Sequence, residues 1–179
     1  MAELILVTGG SRSGKSSFAL DLAEKKSERR IFVATCPVVD GELTERVRLH
    51  KEERLGRGWT TCEEELDLAR AIATSNGEDG VVLIDCLTLW INNLMFFHEQ
   101  DGKAFSTEQL RKQCQFFLAE VELLSGTVIC VTNEVGLGIV PDNALARRYR
   151  DLVGICNQLI AENASEVYLV TCGISQQIK

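Results

Sequence analysis

The sequence predicts a single α/β domain: a mostly parallel sheet with helices on both faces. Two observations predict it. Apolar, β-rich runs at residues 4–8, 31–35, 81–84, 128–132 and 167–171 alternate with helical patterns at roughly 14–26, 42–54, 63–75, 107–124 and 143–163. A glycine-rich segment, "GGSRSGKS", joins the first run to the first helical pattern. Residues 59–62 are a candidate further short strand. No linker, internal repeat or low-complexity tract divides residues 1–179, so one domain is expected.

The first run, Leu4 to Val7, stops at Gly9 and Gly10. Gly9, four residues, Gly14, Lys15 and Ser16 match the G-x-x-x-x-G-K-[ST] spacing of a phosphate-binding loop, the P-loop. Gly9 and Gly14 let the backbone turn its N–H groups inward, and side chains there would fill space the phosphates need. Gly10, Ser11, Arg12 and Ser13 complete the loop. A helix starting near Gly14 adds the positive end of its dipole. Lys15 would reach the β- and γ-phosphates, and the Ser16 hydroxyl would coordinate Mg²⁺. A strand-to-helix turn that happens to carry a lysine is the alternative. The apolar run before it, and Phe18, Ala19, Leu22 and Ala23 after it, favour the nucleotide loop. Which nucleotide it takes is left open.

In such sheets ligands bind beyond the carboxyl ends of the strands, so the strand exits carry the remaining candidates. After the second run comes "GELTERVRLHKEERLGRGW", in which Arg46, His50 and Arg54 are spaced i, i+4, i+8 on one helical face with Lys51 beside them. Flanking cations disfavour the protonated imidazole and leave a nitrogen able to act as nucleophile. A solvated, charge-laced helix is the reading that spacing alone prefers. His98, in "FFHEQDGK", has no such neighbours and is read as surface. The third run delivers Asp85, where a carboxylate can hold Mg²⁺ directly or through water; capping the next helix is the alternative. "LWINNLMFF" covers too much of a helix's circumference for one core-facing stripe and predicts a subunit contact. In "VTNEVGLGIVPDN", Asn133 and Glu134 are expected to face the crevice. Gly136 and Gly138 either let a bulky ligand approach or pack against a neighbouring subunit. A D-x-x-G match at Asp151–Gly154 lies inside a helical pattern, and no N-K-x-D motif exists, which argues against a switch GTPase.

Composition sets outer bounds. With 45% hydrophobic and 25% charged residues, the chain reads as an ordinary soluble protein. A net charge of −7 argues against a nucleic-acid partner held by a broad basic surface. The seven cysteines are never spaced C-x-x-C and mostly lie in apolar runs. They are expected to be reduced, buried thiols of a cytoplasmic protein. "MAELILVTGG" lacks a signal peptide's basic start, and the most apolar stretch, residues 80–97, is interrupted by Asp85, Asn92 and Asn93, so no membrane span is expected.

Over nearly its whole length the chain resembles the bifunctional adenosylcobinamide kinase / adenosylcobinamide-phosphate guanylyltransferases of cobalamin biosynthesis. The motifs that carry the likeness are "ILVTGGSRSGKS", "FVATC", "ERVRLHKEER", "LIDCLTLWINNLM", "VTNEVGLGIVP", "LARRYRD" and "GICNQ". The resemblance implies a RecA-like P-loop NTPase fold, a ring-shaped homotrimer, and a corrinoid substrate. It also implies two reactions: phosphorylation of the aminopropanol hydroxyl of adenosylcobinamide by ATP or GTP, then transfer of GMP from GTP through a histidine–GMP phosphoramidate. On this resemblance His50 and Lys15 are the catalytic residues. Nucleotide contacts fall on the P-loop, on Ala34, Thr35 and Cys36, on Lys51, Glu52, Glu53 and Arg54, on Glu63 and on Asp85. Ser16 and Asp85 are the metal candidates from the P-loop chemistry above, with the contact of Asp85, metal or nucleobase, left open. Two departures are visible: Leu55 stands where proline is expected, and Asp85 where some relatives carry glutamate. A P-loop small-molecule kinase without guanylyl transfer, and a nucleotide-binding subunit that gates an assembly, are the competing readings.

Overall fold

The computed structural model describes residues 2–37, 48, 51–75 and 80–179. Strands β1 (Glu3–Gly9), β2 (Arg30–Ala34), β3 (Trp59–Glu63), β4 (Val81–Asp85), β5 (Thr127–Val131), β6 (Glu166–Thr171) and β7 (Ile174–Gln177) form one sheet in the order β3-β2-β4-β5-β1-β6-β7. Every pairing is parallel except β6 with β7. The helices are α1 (Lys15–Lys26), α2 (Leu68–Thr74), α3 (Leu87–Gln100), α4 (Thr107–Leu123) and α5 (Ala144–Asn163), with a 3₁₀ turn at Val135–Leu137.

Alternation along the strands feeds two cores. Leu4, Leu6, Val82, Ile84, Val128 and Cys130 face the layer formed by α2 to α5. Ile5, Val7, Leu83, Ile129 and Val131 face α1, which contributes Ala19, Leu20 and Ala23. Burial on both faces is why the central strands read as continuous apolar runs. All five expected runs are strands, and residues 59–62 belong to the edge strand β3. The short β7, "ISQQ", is exposed at every position, so no apolar period announces it.

Three expectations are corrected. The helix foreseen over 63–75 begins only at Leu68: Glu63 extends β3 opposite Ala34, and Asp67 caps α2 by accepting the Arg70 N–H at 2.9 Å. Of the apolar helix "LWINNLMFF", Trp90, Ile91 and Leu94 are core residues and Leu89 packs toward the α1 side, because the N-terminal half of α3 is wrapped by both layers. Of its apolar side chains only Phe96 and Phe97 are exposed. His98 is half-buried, not on the surface. Its ring lies 4.8 Å from that of Phe105, with Nδ1 2.9 Å from the Leu94 carbonyl oxygen.

The helical pattern over 42–54 is seen at Arg48 and residues 51–54; Arg46 and His50 lie outside the described residues. All seven cysteines are free; Cys86, Cys114, Cys130 and Cys156 are buried and Cys172 is exposed.

Candidate active site

β1 ends in the phosphate-loop sequence, and the geometry has the parts a phosphate cradle needs. Gly14 has φ +93, which a side chain would strain, and its carbonyl accepts the Phe18 N–H at 3.0 Å as α1 starts. A Cβ on Gly9 would sit 2.4 Å from the Val170 carbonyl oxygen. The Lys15 ammonium is buried and donates to the Gly10 carbonyl at 3.0 Å, so it curls over the loop. Ser13 Oγ is buried without a hydrogen-bond partner among the described residues, a polar atom that a ligand oxygen would satisfy. Ser11 and Arg12 are exposed at the tip, Arg12 with φ 60. Ser16 starts α1 beside Lys15.

Sheet order decides what stands next to this loop. β4 lies two strands from β1, about 10 Å away at ordinary strand spacing, and ends in Asp85. No hydrogen bond or ion pair among the described residues takes up the Asp85 carboxylate. Ala34 registers with Asp85 on one side and with Glu63 on the other. Thr35 Oγ1 donates to the Cys86 carbonyl at 2.9 Å and accepts the Cys86 N–H at 2.8 Å. The half-buried Cys36 follows, its thiol 3.6 Å from the Pro37 carbonyl.

The segment after residue 50 closes against α1. Glu53 Oε1 accepts from the Ser17 hydroxyl at 3.3 Å, and Arg57 pairs with Glu24 at 2.8 Å and Asp21 at 3.3 Å. The Arg54 guanidinium sits 3.5 Å over the Phe32 ring and feels the Asp85 charge. Burial lowers its pKa, and the nearby Asp85 and Glu53 carboxylates oppose that shift. Lys51 pairs with Glu63 at 2.8 Å, at the β3 edge, four strands and about 19 Å from β1. Glu52 is different: it pairs with Arg48 at the surface.

Two further strand exits complete the cradle. The β6–β7 turn abuts the loop, with the Gly173 N–H donating to the Ser13 carbonyl at 2.8 Å; the sequence signal for this turn is a glycine two residues beyond the end of the apolar run 167–171. The exit of β5 meets the exit of β1: the Glu134 N–H donates to the Gly9 carbonyl at 3.1 Å, and its carboxylate accepts from the Thr8 hydroxyl at 2.7 Å. Asn157 donates to Glu134 Oε1 at 3.4 Å and accepts from the Thr132 hydroxyl at 2.7 Å. Glu134 thus faces the cradle as expected, whereas the Asn133 amide donates to the Thr88 hydroxyl at 3.0 Å; among the described residues nothing packs within 4 Å of where a Gly136 side chain would stand.

Residues 5–178 match the family model described as "Cobinamide kinase / cobinamide phosphate guanyltransferase". The chain belongs to this family. It is similar to the "Bifunctional adenosylcobalamin biosynthesis protein CobU" of Salmonella typhimurium, at 37% identity over 98% of this chain and 99% of that one. The protein of the same name from Escherichia coli is also 37% identical over the same shares. The corresponding protein of Pseudomonas aeruginosa, "CobP", is 35% identical over 97% of this chain and 96% of that one. Among solved structures, a type III secretion ATPase superposes with TM-score 0.56 at 13% identity, over 94% of this chain and 51% of that one. The RadB recombinase superposes with TM-score 0.51 at 16% identity, over 93% and 73%. The fold is therefore that of the RecA-like P-loop NTPases.

Family members named in this way are bifunctional, which favours the two-activity reading over a plain kinase. The departure at Leu55 is harmless to packing, since that side chain is 82% exposed. No helix among the described residues is long and apolar enough to cross a membrane.

Proposed function

We propose that the chain phosphorylates the aminopropanol hydroxyl of adenosylcobinamide with ATP or GTP. It then transfers GMP from GTP to the resulting phosphate, giving adenosylcobinamide-GDP. One observation carries the single-site form of this reading: the Ser17–Glu53 hydrogen bond ties the segment directly following His50 to the first turn of the P-loop helix. One phosphate cradle can then serve a nucleophile from that segment as well as an acceptor alcohol.

In the kinase step Lys15 and the loop N–H groups hold the β- and γ-phosphates and neutralise charge that grows as phosphoryl transfer proceeds. In the guanylyl step the same groups hold the leaving pyrophosphate, while His50 attacks the α-phosphorus and carries GMP as a phosphoramidate. Arg46 and Arg54 supply cations around that step, and Lys51, paired with Glu63, belongs with the nucleoside end. Thr35, Ala34 and Cys36 line the floor between the strands. Glu63, about 19 Å from the P-loop strand, suits the nucleoside end and not the phosphates. Ser16 and Asp85 fit Mg²⁺, which takes one or two protein oxygens and completes its shell with water and phosphate oxygens. When bound, that ion supplies charge neutralisation between the phosphates.

A homotrimer in the cytoplasm, with no nucleic-acid partner, completes the proposal. Free thiols support the compartment and the acidic net charge supports the absence of nucleic acid. The exposed Phe96, Phe97 and Phe116 support a subunit contact on α3 and α4. The test uses labelled GTP. Protein incubated with α-labelled GTP should retain acid-labile, alkali-stable label, His50→Ala should not, and both should phosphorylate adenosylcobinamide from γ-labelled GTP. Equal α-labelling of the two proteins would move the nucleophile away from His50.

A further inference from the structure

The geometry points to Glu134 as the catalytic base of the kinase step, an assignment that rests on the two-reaction reading above. β5 lies between β1, which carries the phosphate loop, and β4, which carries Asp85, so its exit stands in the middle of the cradle. Glu134 is the second residue beyond the Thr132 N–H, which donates to the Val7 carbonyl at 2.9 Å, and its own N–H donates to the Gly9 carbonyl at 3.1 Å. The backbone is thus fixed against the first glycine of the loop. The side chain is fixed as well, and from one side only. Oε1 accepts from the Thr8 hydroxyl at 2.7 Å and from Asn157 Nδ2 at 3.4 Å. Asn157 is itself held, accepting from Thr132 Oγ1 at 2.7 Å and donating to the Asn133 carbonyl at 3.1 Å. Oε2 receives no hydrogen bond among the described residues.

That arrangement differs from a structural ion pair. The anchoring donors are a hydroxyl and an amide, neither of them a cation, and among the described residues Oε2 is left open to a ligand. Asp85, the other strand-exit carboxylate beside the loop, is the proposed metal ligand, and Glu63 is paired with Lys51 at the distant edge. Among the described strand-exit carboxylates, Glu134 is the one beside the loop that neither a cation nor the metal assignment takes up.

The chemistry says which reaction needs it. In the kinase step the alcohol oxygen forms a bond to the γ-phosphorus, the bond from that phosphorus to the β,γ-bridging oxygen breaks, and the nucleoside diphosphate leaves with the electron pair. The hydroxyl proton passes to Glu134 Oε2, and from the resulting carboxylic acid to water. In the guanylyl step the acceptor is a phosphate already ionised near neutral pH, so no proton has to be removed from it. A general base contributes typically 10²- to 10⁴-fold, and only to the reaction whose nucleophile loses a proton.

Glu134→Gln separates the two steps, because the amide oxygen still accepts from Thr8 while the basic oxygen is lost. The wild type and this variant are assayed for γ-phosphoryl transfer to adenosylcobinamide, for GMP retention from α-labelled GTP, and for GMP transfer to adenosylcobinamide phosphate. The expected result is a fall of about a hundredfold or more in kcat of the kinase step with KM for GTP unchanged, and guanylyl transfer within about threefold of wild type. Thr8→Val, which frees the carboxylate to rotate, should lower the kinase kcat by a smaller factor. Loss of both activities in parallel in Glu134→Gln would make the residue a support of the loop and overturn the assignment. So would wild-type kinase turnover in that variant. A wild-type chain inert as a kinase would remove the two-reaction reading itself, and the assignment with it.

Discussion

Thr35 and Cys86 are joined in both directions across the ends of β2 and β4: the threonine hydroxyl accepts the Cys86 N–H at 2.8 Å and donates to its carbonyl at 2.9 Å, with Thr35 fully buried. The Cys86 carbonyl has a second partner in the Trp90 N–H at 3.2 Å, whereas among the described residues its N–H has only Thr35. Thr35→Val therefore orphans one buried donor and should cost about 1–3 kcal/mol in urea unfolding, with Thr35→Ser recovering most of it. An unchanged unfolding midpoint in the valine variant would refute the role.

Lys15→Ala should abolish phosphoryl and guanylyl transfer together, since one loop serves the phosphates in both. Removing a cation from a triphosphate forfeits several kcal/mol of transition-state stabilisation, on the order of 10²- to 10³-fold or more in rate. Guanylylation at the wild-type rate in that variant would show two phosphate sites in place of one.

Gly9→Ala places a methyl group 2.4 Å from the Val170 carbonyl oxygen, in the register pair that joins β1 to β6. Backbone must move to admit it, at a cost of about 1–3 kcal/mol. The movement falls on the first glycine of the loop, so nucleotide affinity by calorimetry should drop together with the melting temperature.

Thiol reactivity should separate by burial. Burial pushes the Cys86 thiol up to about 11, and Cys130 and Cys156 are also raised. A raised thiol pKa means a protonated, unreactive sulfur at about pH 8, whereas Cys172 is exposed. A disulfide reagent should titrate Cys172 fastest, and Cys172→Ser should remove that phase. The same sign gives an alkaline limit. The folded state cannot ionise Cys86 until about pH 11 while the unfolded chain does so near 9, so stability present below pH 9 should decline as pH rises through that window.

Light scattering at micromolar concentration should give three times the 19.8 kDa chain mass. Replacing Phe96 and Phe97 by glutamate should shift the protein toward monomer, because both are exposed on the last turns of α3 near the equally exposed Phe116. A wild-type monomer would remove the trimer.

The sequence by itself determined what depends on neighbours along the chain. Short continuous apolar runs assigned the strands and their two-sided burial. The spacing of Gly9, Gly14, Lys15 and Ser16 assigned the phosphate loop, because a strand, a turn and a helix N-terminus need only consecutive residues. Tertiary structure decided what depends on strand order. Periodicity says which face a side chain takes, not which strand lies beside which, and order is set by how the helices cover the two faces. Only the folded sheet therefore brings Asp85 within two strands of the loop, sends Glu63 to the far edge, and halts the "LWINNLMFF" surface at Phe96 and Phe97. It also makes Glu134 meet Thr8 across 126 residues of sequence, a contact with no local signature, since it exists because β5 inserts beside β1.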